Sequence, residues 1–221
     1  MMTLGTFAGS ISYPWDGLAA TEYVTSIAGP ATSGNSSAYS SVPNIGTYTS
    51  GRIVLIRACV NFTNCTCTVG GESTTRLASR AETSHLFLYT GTLNGSQTIT
   101  VTGDTGGNYA NIYYHIIKTK YQSGAISVAS NIVSSGVVSA SPSQGAENGI
   151  LWAFANQQSS VALDFTNSTS TTMTSIADAP YNNGAYRVVE KFYVIPANSP
   201  NPIITSTDTT GQKQLITAVF R

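Results

Sequence analysis

From Arg52 onward the apolar positions fall into short blocks separated by turn residues. The blocks are Arg52–Val60, Cys65–Val69, His85–Thr90, Gln97–Val101, Asn111–Thr119 and Ala125–Ser130, then Ile132–Ala140, Ile150–Asn156, Ser160–Phe165, Thr171–Ala177, Ala185–Ile195 and Lys213–Phe220. Each is rich in Val, Ile, Thr, Tyr or Phe and is bounded by Gly, Asn, Pro or Asp, so each is predicted to be a strand. Several alternate strictly. In Ala185–Val194 one face carries Tyr186, Val188, Glu190, Phe192 and Val194. That face is expected inward, which obliges Glu190 to find a partner such as Arg52, Arg57 or Lys191, or a place at the rim. Ile53–Ile56 and Ile150–Ala155 are apolar almost without interruption, the pattern of central strands covered on both faces. Asn94-Gly95, Asn148-Gly149, Asn183-Gly184, Gly70-Gly71 and Gly106-Gly107 supply the turns. Gly103–Gly107 reads as a hairpin turn and Thr74–Glu82 as the best short helix. No repeat of the length that marks solenoids or propellers is visible. The chain is therefore expected to be all-β, an antiparallel two-sheet β-sandwich.

The first 50 residues read differently. Pro14, Pro30 and Pro43 and the small-residue stretch Ala31–Ser41 interrupt any long element. Leu4, Phe7, Ile11, Tyr13 and Trp15 are apolar but without a sustained period. We expect an irregular N-terminal arm over residues 1–50, lying on its own domain or on a neighbour, and a sandwich over residues 51–221.

Composition sharpens this picture. Only 9% of the 221 residues are charged, with ten basic and ten acidic side chains, while 41% are hydrophobic. Ordinary soluble domains carry about 25% charged residues. A neutral chain lacks the basic footprint of a nucleic-acid binder and the polybasic segment that anionic lipid attracts. Nucleic acid and membrane are thus not expected as partners. No apolar run approaches a membrane span, and Met1–Gly17 has neither the basic nor the apolar region of a secretion signal. The apolar content is enough to build a core. Ser, Thr, Asn and Gly stand where Lys and Glu usually do, giving surfaces that form hydrogen bonds and favour association.

Candidate chemistry is sparse. Asp164 and Glu190 are the acidic residues best placed for a glycosidase pair, and ordinary ion pairing explains each as well. His85 and His115 lie in strands, with no Gly-x-Ser-x-Gly elbow to complete a triad. Gly103-Asp-Thr-Gly-Gly107 lacks the Lys-Ser/Thr of a phosphate loop. Cys59, Cys65 and Cys67 are expected to be small buried hydrophobes, Cys65 and Cys67 on one face. No catalytic, cofactor or metal residue is assigned. The loop aromatics are the better candidates for contact with a partner or a glycan: Trp15, Tyr39, Tyr48, Tyr109, Tyr121 and Tyr181.

Residues 51–221 resemble a β-sandwich module of minor structural proteins of tailed phages. The resemblance rests on the succession Gly51-Arg-Ile-Val-Leu-Ile, Thr68-Val-Gly-Gly71, His85-Leu-Phe-Leu-Tyr-Thr90, Gly95-Ser-Gln-Thr-Ile-Thr-Val-Thr102, Asn111-Ile-Tyr-Tyr-His-Ile-Ile117, Asn148-Gly-Ile-Leu-Trp-Ala-Phe-Ala155 and Leu215-Ile-Thr-Ala-Val-Phe220. It implies a jelly-roll-like sandwich, frequently a homotrimer, placed in the virion on the capsid surface, tail or fibre. The expected function is non-enzymatic: a capsid decoration (cement) subunit whose partners are its own copies and phage capsid or tail proteins. The alternative is a tail-associated module that binds a surface glycan or receptor.

Overall fold

The computed structural model describes residues 22–32, 36–62, 64–80, 83–107, 109–118, 125–142, 149–158, 164–168, 173–181, 186–195, 203–207 and 211–220. The chain is all-β and antiparallel. Its strands, in chain order, are β1 (Glu22–Thr32), β2 (Ser36–Ser41), β3 (Arg52–Val60), β4 (Thr66–Val69), β5 (Glu72–Ser73), β6 (Thr75–Arg80), β7 (Ser84–Tyr89), β8 (Ile99–Gly107) and β9 (Ala110–Lys118). There follow β10 (Ala125–Val133), β11 (Ser139–Ala140), β12 (Ile150–Gln157), β13 (Phe165–Asn167), β14 (Thr174–Tyr181), β15 (Tyr186–Val194), β16 (Ile204–Ser206) and β17 (Lys213–Phe220).

The strands form four sheets: I (β2-β8-β4-β5), II (β1-β9-β3-β7-β6), III (β10-β17-β12-β15-β14) and IV (β11-β16-β13). Three apolar cores lie between them. The first joins sheets I and II through Tyr39, Ile56, Phe62, Phe87, Val101 and Tyr114. The second joins II and III through Leu55, Leu86, Ile117, Trp152, Phe154 and Ile216. The third joins III and IV through Val138, Leu151, Ala155, Ile204, Leu215 and Val219. The sandwich expected from the sequence is thus built twice, and the two sandwiches are stacked.

This stacking explains the uninterrupted apolar runs. In β3, Val54, Ile56 and Ala58 face the first core while Ile53 and Leu55 face the second. In β12, Trp152 and Phe154 face the second core while Leu151, Ala153 and Ala155 face the third. Every residue of β3, β7, β12 and β17 is buried. A strand covered on both faces has no reason to alternate.

The two halves wind alike. Through β1–β9 the chain visits sheets II, I, II, I, I, II, II, I, II; through β10–β17 it visits III, IV, III, IV, III, III, IV, III. Apart from β5, which has no described counterpart, the succession is the same. Each half follows jelly-roll winding, with β6 or β14 added at one edge. The sequences echo this: Ile99-Thr-Val-Thr-Gly-Asp-Thr matches Ile204-Thr-Ser-Thr-Asp-Thr, each entering the last strand of its half. The halves also meet symmetrically. Edge strand β1 lies beside β14, and its counterpart β10 lies beside β6. Reciprocal contacts of this kind define an isologous, two-fold arrangement.

Several sequence expectations are corrected. Within the stretch expected to be irregular, Glu22–Thr32 pairs with β9 and Ser36–Ser41 pairs with β8. Pro30 is accommodated because it falls in a register shift of an edge strand, where a missing N–H costs no ladder bond. Residues 1–21 lie outside the described residues. The expected helix at Thr74–Glu82 contains strand β6 instead: its pairing with the apolar strand β7 overrides local preference. Gly103–Gly107 continues β8 and is not a turn. Gly103 is there for a different reason: a Cβ at this position would stand 2.4 Å from Cβ of Phe62. Finally, Ile132–Ala140 is not one strand but the end of β10 followed by β11. Among the described residues no helix is long and apolar enough to cross a membrane.

Candidate functional site

The aromatic residues proposed as contacts do not share one surface. Tyr39 is in β2, buried in the first core and stacked on Phe62 at 5.6 Å. Tyr109 directly precedes β9, is also buried, and packs on Tyr186 at 5.0 Å. Both expectations of an exposed loop aromatic are therefore corrected. A strand residue pointing inward buries its ring, whatever the polarity of its neighbours. Tyr181 ends β14, and Trp15 and Tyr121 lie outside the described residues. Tyr48 is 40% exposed and lies 5.4 Å from the Arg52 guanidinium. Arg52 is a clamp. Its guanidinium donates to the carbonyls of Leu93 and Gly91 at 2.8 Å each, tying the loop before β3 to the loop after β7. Burial lowers its pKa.

The two carboxylates considered for hydrolysis are separated by sheet III. Glu190 points into the second core, whereas Asp164 pairs with Lys191, the next residue of β15 and hence on the opposite face. Asp164 is solvent-exposed.

Glu190 instead belongs to a closed polar cluster at the junction of the two halves. Its Oε2 lies 2.9 Å from Nη2 of Arg57 and its Oε1 lies 2.6 Å from Nε2 of His115, all three side chains fully buried. Arg57 also donates through Nη1 to the Asn111 carbonyl at 2.6 Å and to the Asn111 side chain. Its guanidinium stands 4.7 Å from the Tyr113 ring and 5.4 Å from that of Phe154. His115 packs against Trp152 at 5.7 Å. Arg57, Asn111, Tyr113 and His115 come from sheet II; Trp152, Phe154 and Glu190 come from sheet III. Burial alone would raise the Glu190 pKa, but the charges of Arg57 and His115 outweigh it and hold the carboxyl at about 2. The carboxylate meets a nitrogen at each oxygen and is walled by aromatic rings. A carboxylate held so far below neutral pH is ionised throughout the physiological range and serves as an ion-pair partner. The sequence named Arg57 among the partners that Glu190 would need; what it missed is that His115 joins them.

Two lesser polar bridges cross the same junction: Asn156 to Ser84 at 3.1 Å and Gln214 to Thr83 at 2.6 Å.

A groove of about 580 Å³ opens on the first sandwich, between β4 and β6, with Phe87 in its lining. Its neighbours hold the start of β4, short of its pairing with β5: Thr74 donates to the Cys67 carbonyl at 2.9 Å and Arg76 to the Cys65 carbonyl at 3.3 Å. Cys65 and Cys67 also line it, yet their side chains turn into the first core, and burial pushes both thiols up to about 12. They behave as small hydrophobes, not nucleophiles. Cys59 is buried in the second core, and none of the three is joined in a disulfide. His85 is buried, with Nδ1 3.0 Å from the Ser79 hydroxyl. Among the described residues no group of three or more His, Cys, Asp or Glu gathers as a metal ion would need.

The outermost sheets carry a different chemistry. On sheet I, Ser40, Thr100, Thr68 and Ser73 stand in one row across the strands, and Thr102 and Thr66 in the next. Ser40 and Thr100 hydroxyls are bonded at 2.8 Å, as are Thr66 and Thr102. On sheet IV, Ser139, Thr205 and Thr166 form the equivalent row, with Ser139 and Thr205 bonded at 3.1 Å. Both ends of the stack thus present uncharged hydroxyl ladders. No family model, no curated protein and no solved structure matches this chain.

Proposed function

We propose that this chain is a non-enzymatic structural subunit of a phage particle, a capsid decoration subunit that coats the shell through contacts with its own copies and with the capsid. The observation that carries the reading is the pair of uncharged hydroxyl ladders on the two outer sheets. They are hydrogen-bonding surfaces without the ionic solvation that keeps a free protein apart from its neighbours. Jelly-roll winding supports it in a general way, being an architecture of viral capsid and lectin domains. So does the use of the buried ionisable groups at the junction: Arg57, His115 and Glu190 are spent on one another, within a packed core.

The test is quantitative mass spectrometry of purified particles. A decoration subunit occurs in hundreds of copies per particle, and light scattering of the isolated chain shows a defined oligomer. Absence from particles refutes the reading; a dozen copies or fewer moves the chain to the tail. Tyr48 favours a second reading, glycan recognition, because an exposed ring beside an arginine is a stacking surface for a sugar. A glycan array compared with the Tyr48→Ala variant decides it: no retained sugar, or equal retention by the variant, removes this reading.

A further inference from the structure

The register of the sheets allows the two halves to be superposed residue by residue. Ile53 pairs with Ile117 near the end of β9, as Ile150 pairs with Phe220 at the end of β17. Counting on from these pairs, Leu55 corresponds to Trp152 and Arg57 to Phe154. Across the ladder, His115 is partnered by Leu55 and Ala218 by Trp152, so His115 corresponds to Ala218. Leu86 is partnered by Arg57 and Glu190 by Phe154, so Glu190 corresponds to Leu86. Every ionisable member of the junction cluster therefore has an apolar counterpart: Phe154 for Arg57, Leu86 for Glu190, Ala218 for His115. All three counterparts lie in the same core.

We propose that the Arg57–Glu190–His115 cluster is a pairing selector: it lets a first half close on a second half and bars the association of like halves. The reasoning follows from the two-fold relation. Arg57 and Phe154 face each other at 5.4 Å and occupy corresponding positions, so they flank the pseudo-axis. If two first halves met in the same way, Arg57 would face Arg57, with Leu86 where Glu190 now stands. If two second halves met, Phe154 would face Phe154, and Glu190 would have neither Arg57 nor His115. Either association buries an uncompensated charge, which costs far more than a buried pair gains. The unlike association alone gives the Arg57 guanidinium its carboxylate. Two sandwiches of the same winding, with apolar inner faces, need such a device: without it the faces are interchangeable. The inference does not depend on the proposed function.

The experiment uses full-length chains. Arg57→Glu and Glu190→Arg each place like charges in the junction, and each variant alone is expected to lose at least a hundredfold in its folding equilibrium constant. Refolded together, they can exchange halves. The first half altered by Arg57→Glu then meets the second half altered by Glu190→Arg, and the two unaltered halves form the native pair. Native mass spectrometry is expected to show a complex containing both chains in equal number, absent from either variant alone. A second arm replaces the cluster by its apolar counterparts in one chain, Arg57→Phe with Glu190→Leu. It is expected to fold within about tenfold of the parent chain, because a selector contributes discrimination, not net stability. The proposal is overturned if the mixture yields no such complex, if either single variant folds like the parent, or if the double variant is as damaged as the single ones.

Discussion

Replacing Glu190 by Gln keeps the size of the side chain and removes its charge, leaving the Arg57 guanidinium without a counter-ion in the second core. Removing one partner of a buried pair costs about 3–5 kcal/mol, and that is the expected loss near neutral pH. The pH dependence is the sharper test. Burial pushes the Glu190 carboxyl up, yet the opposing charges of Arg57 and His115 hold it at about 2, from an ordinary value of 4.5. That difference corresponds to about 3 kcal/mol of stability. The sign follows from linkage. The unfolded chain takes up the proton first, so the contribution is complete above pH 4.5 and is lost as pH falls from there through about 2. The variant has no such proton to take up. Urea denaturation at a series of pH values, followed by tryptophan fluorescence through Trp152 beside His115, should show a wide gap between parent and variant at about pH 6. The gap should shrink by about 3 kcal/mol on reaching about pH 2, the other carboxylates cancelling in the difference. A gap that stays constant across that range refutes the account of the cluster.

Other consequences can be measured directly. Trp152→Ala opens a cavity in the core between the two halves and should cost about 3–5 kcal/mol, read by chemical denaturation. Gly103→Val forces atoms into the space held by Phe62 and should cost at least about 1–3 kcal/mol, seen as a lowered melting temperature; a neutral result would mean that Phe62 moves freely. With Cys65 and Cys67 raised to about 12 and buried, a colorimetric thiol reagent at about pH 8 should label them slowly in the folded chain and fast in denaturant. Rapid labelling of the native protein contradicts their placement in the first core.

The strand content was readable because the second core and its neighbours impose it on β3, β7, β9, β12, β15 and β17, whose side chains must be apolar to be buried. Ile53–Ile56 and Ile150–Ala155 even announced cover on both faces. What escaped were the edge elements. β1 carries Pro30 at a bulge, and β6 carries residues that favour helix; both are strands because a central strand pairs with them, information that lies elsewhere in the chain. The duplication escaped for another reason. Counterpart positions share only apolar character and turn placement, the spacing between matching strands varies, and the repeat is half the chain long. The echo between Ile99–Thr102 and Ile204–Thr207 was the available signal. That Glu190 needs a partner such as Arg52, Arg57 or Lys191 was legible from its inward face; that the partner is Arg57, joined by His115, was not, because the three come from three strands in two halves and nothing local links them.

The hydroxyl rows at the two ends of the stack set how this protein meets others. An encounter through such a face is not steered by a long-range field, so it proceeds at the slow, unguided rate of roughly 10⁵–10⁶ M⁻¹s⁻¹. For the same reason a contact made through the hydroxyls themselves is little weakened by counter-ions, Asp104 beyond Thr102 being an exposed charge beside the rows of sheet I. Joined through these rows, copies would assemble sluggishly when dilute, yet hold nearly as well in brine as in fresh water.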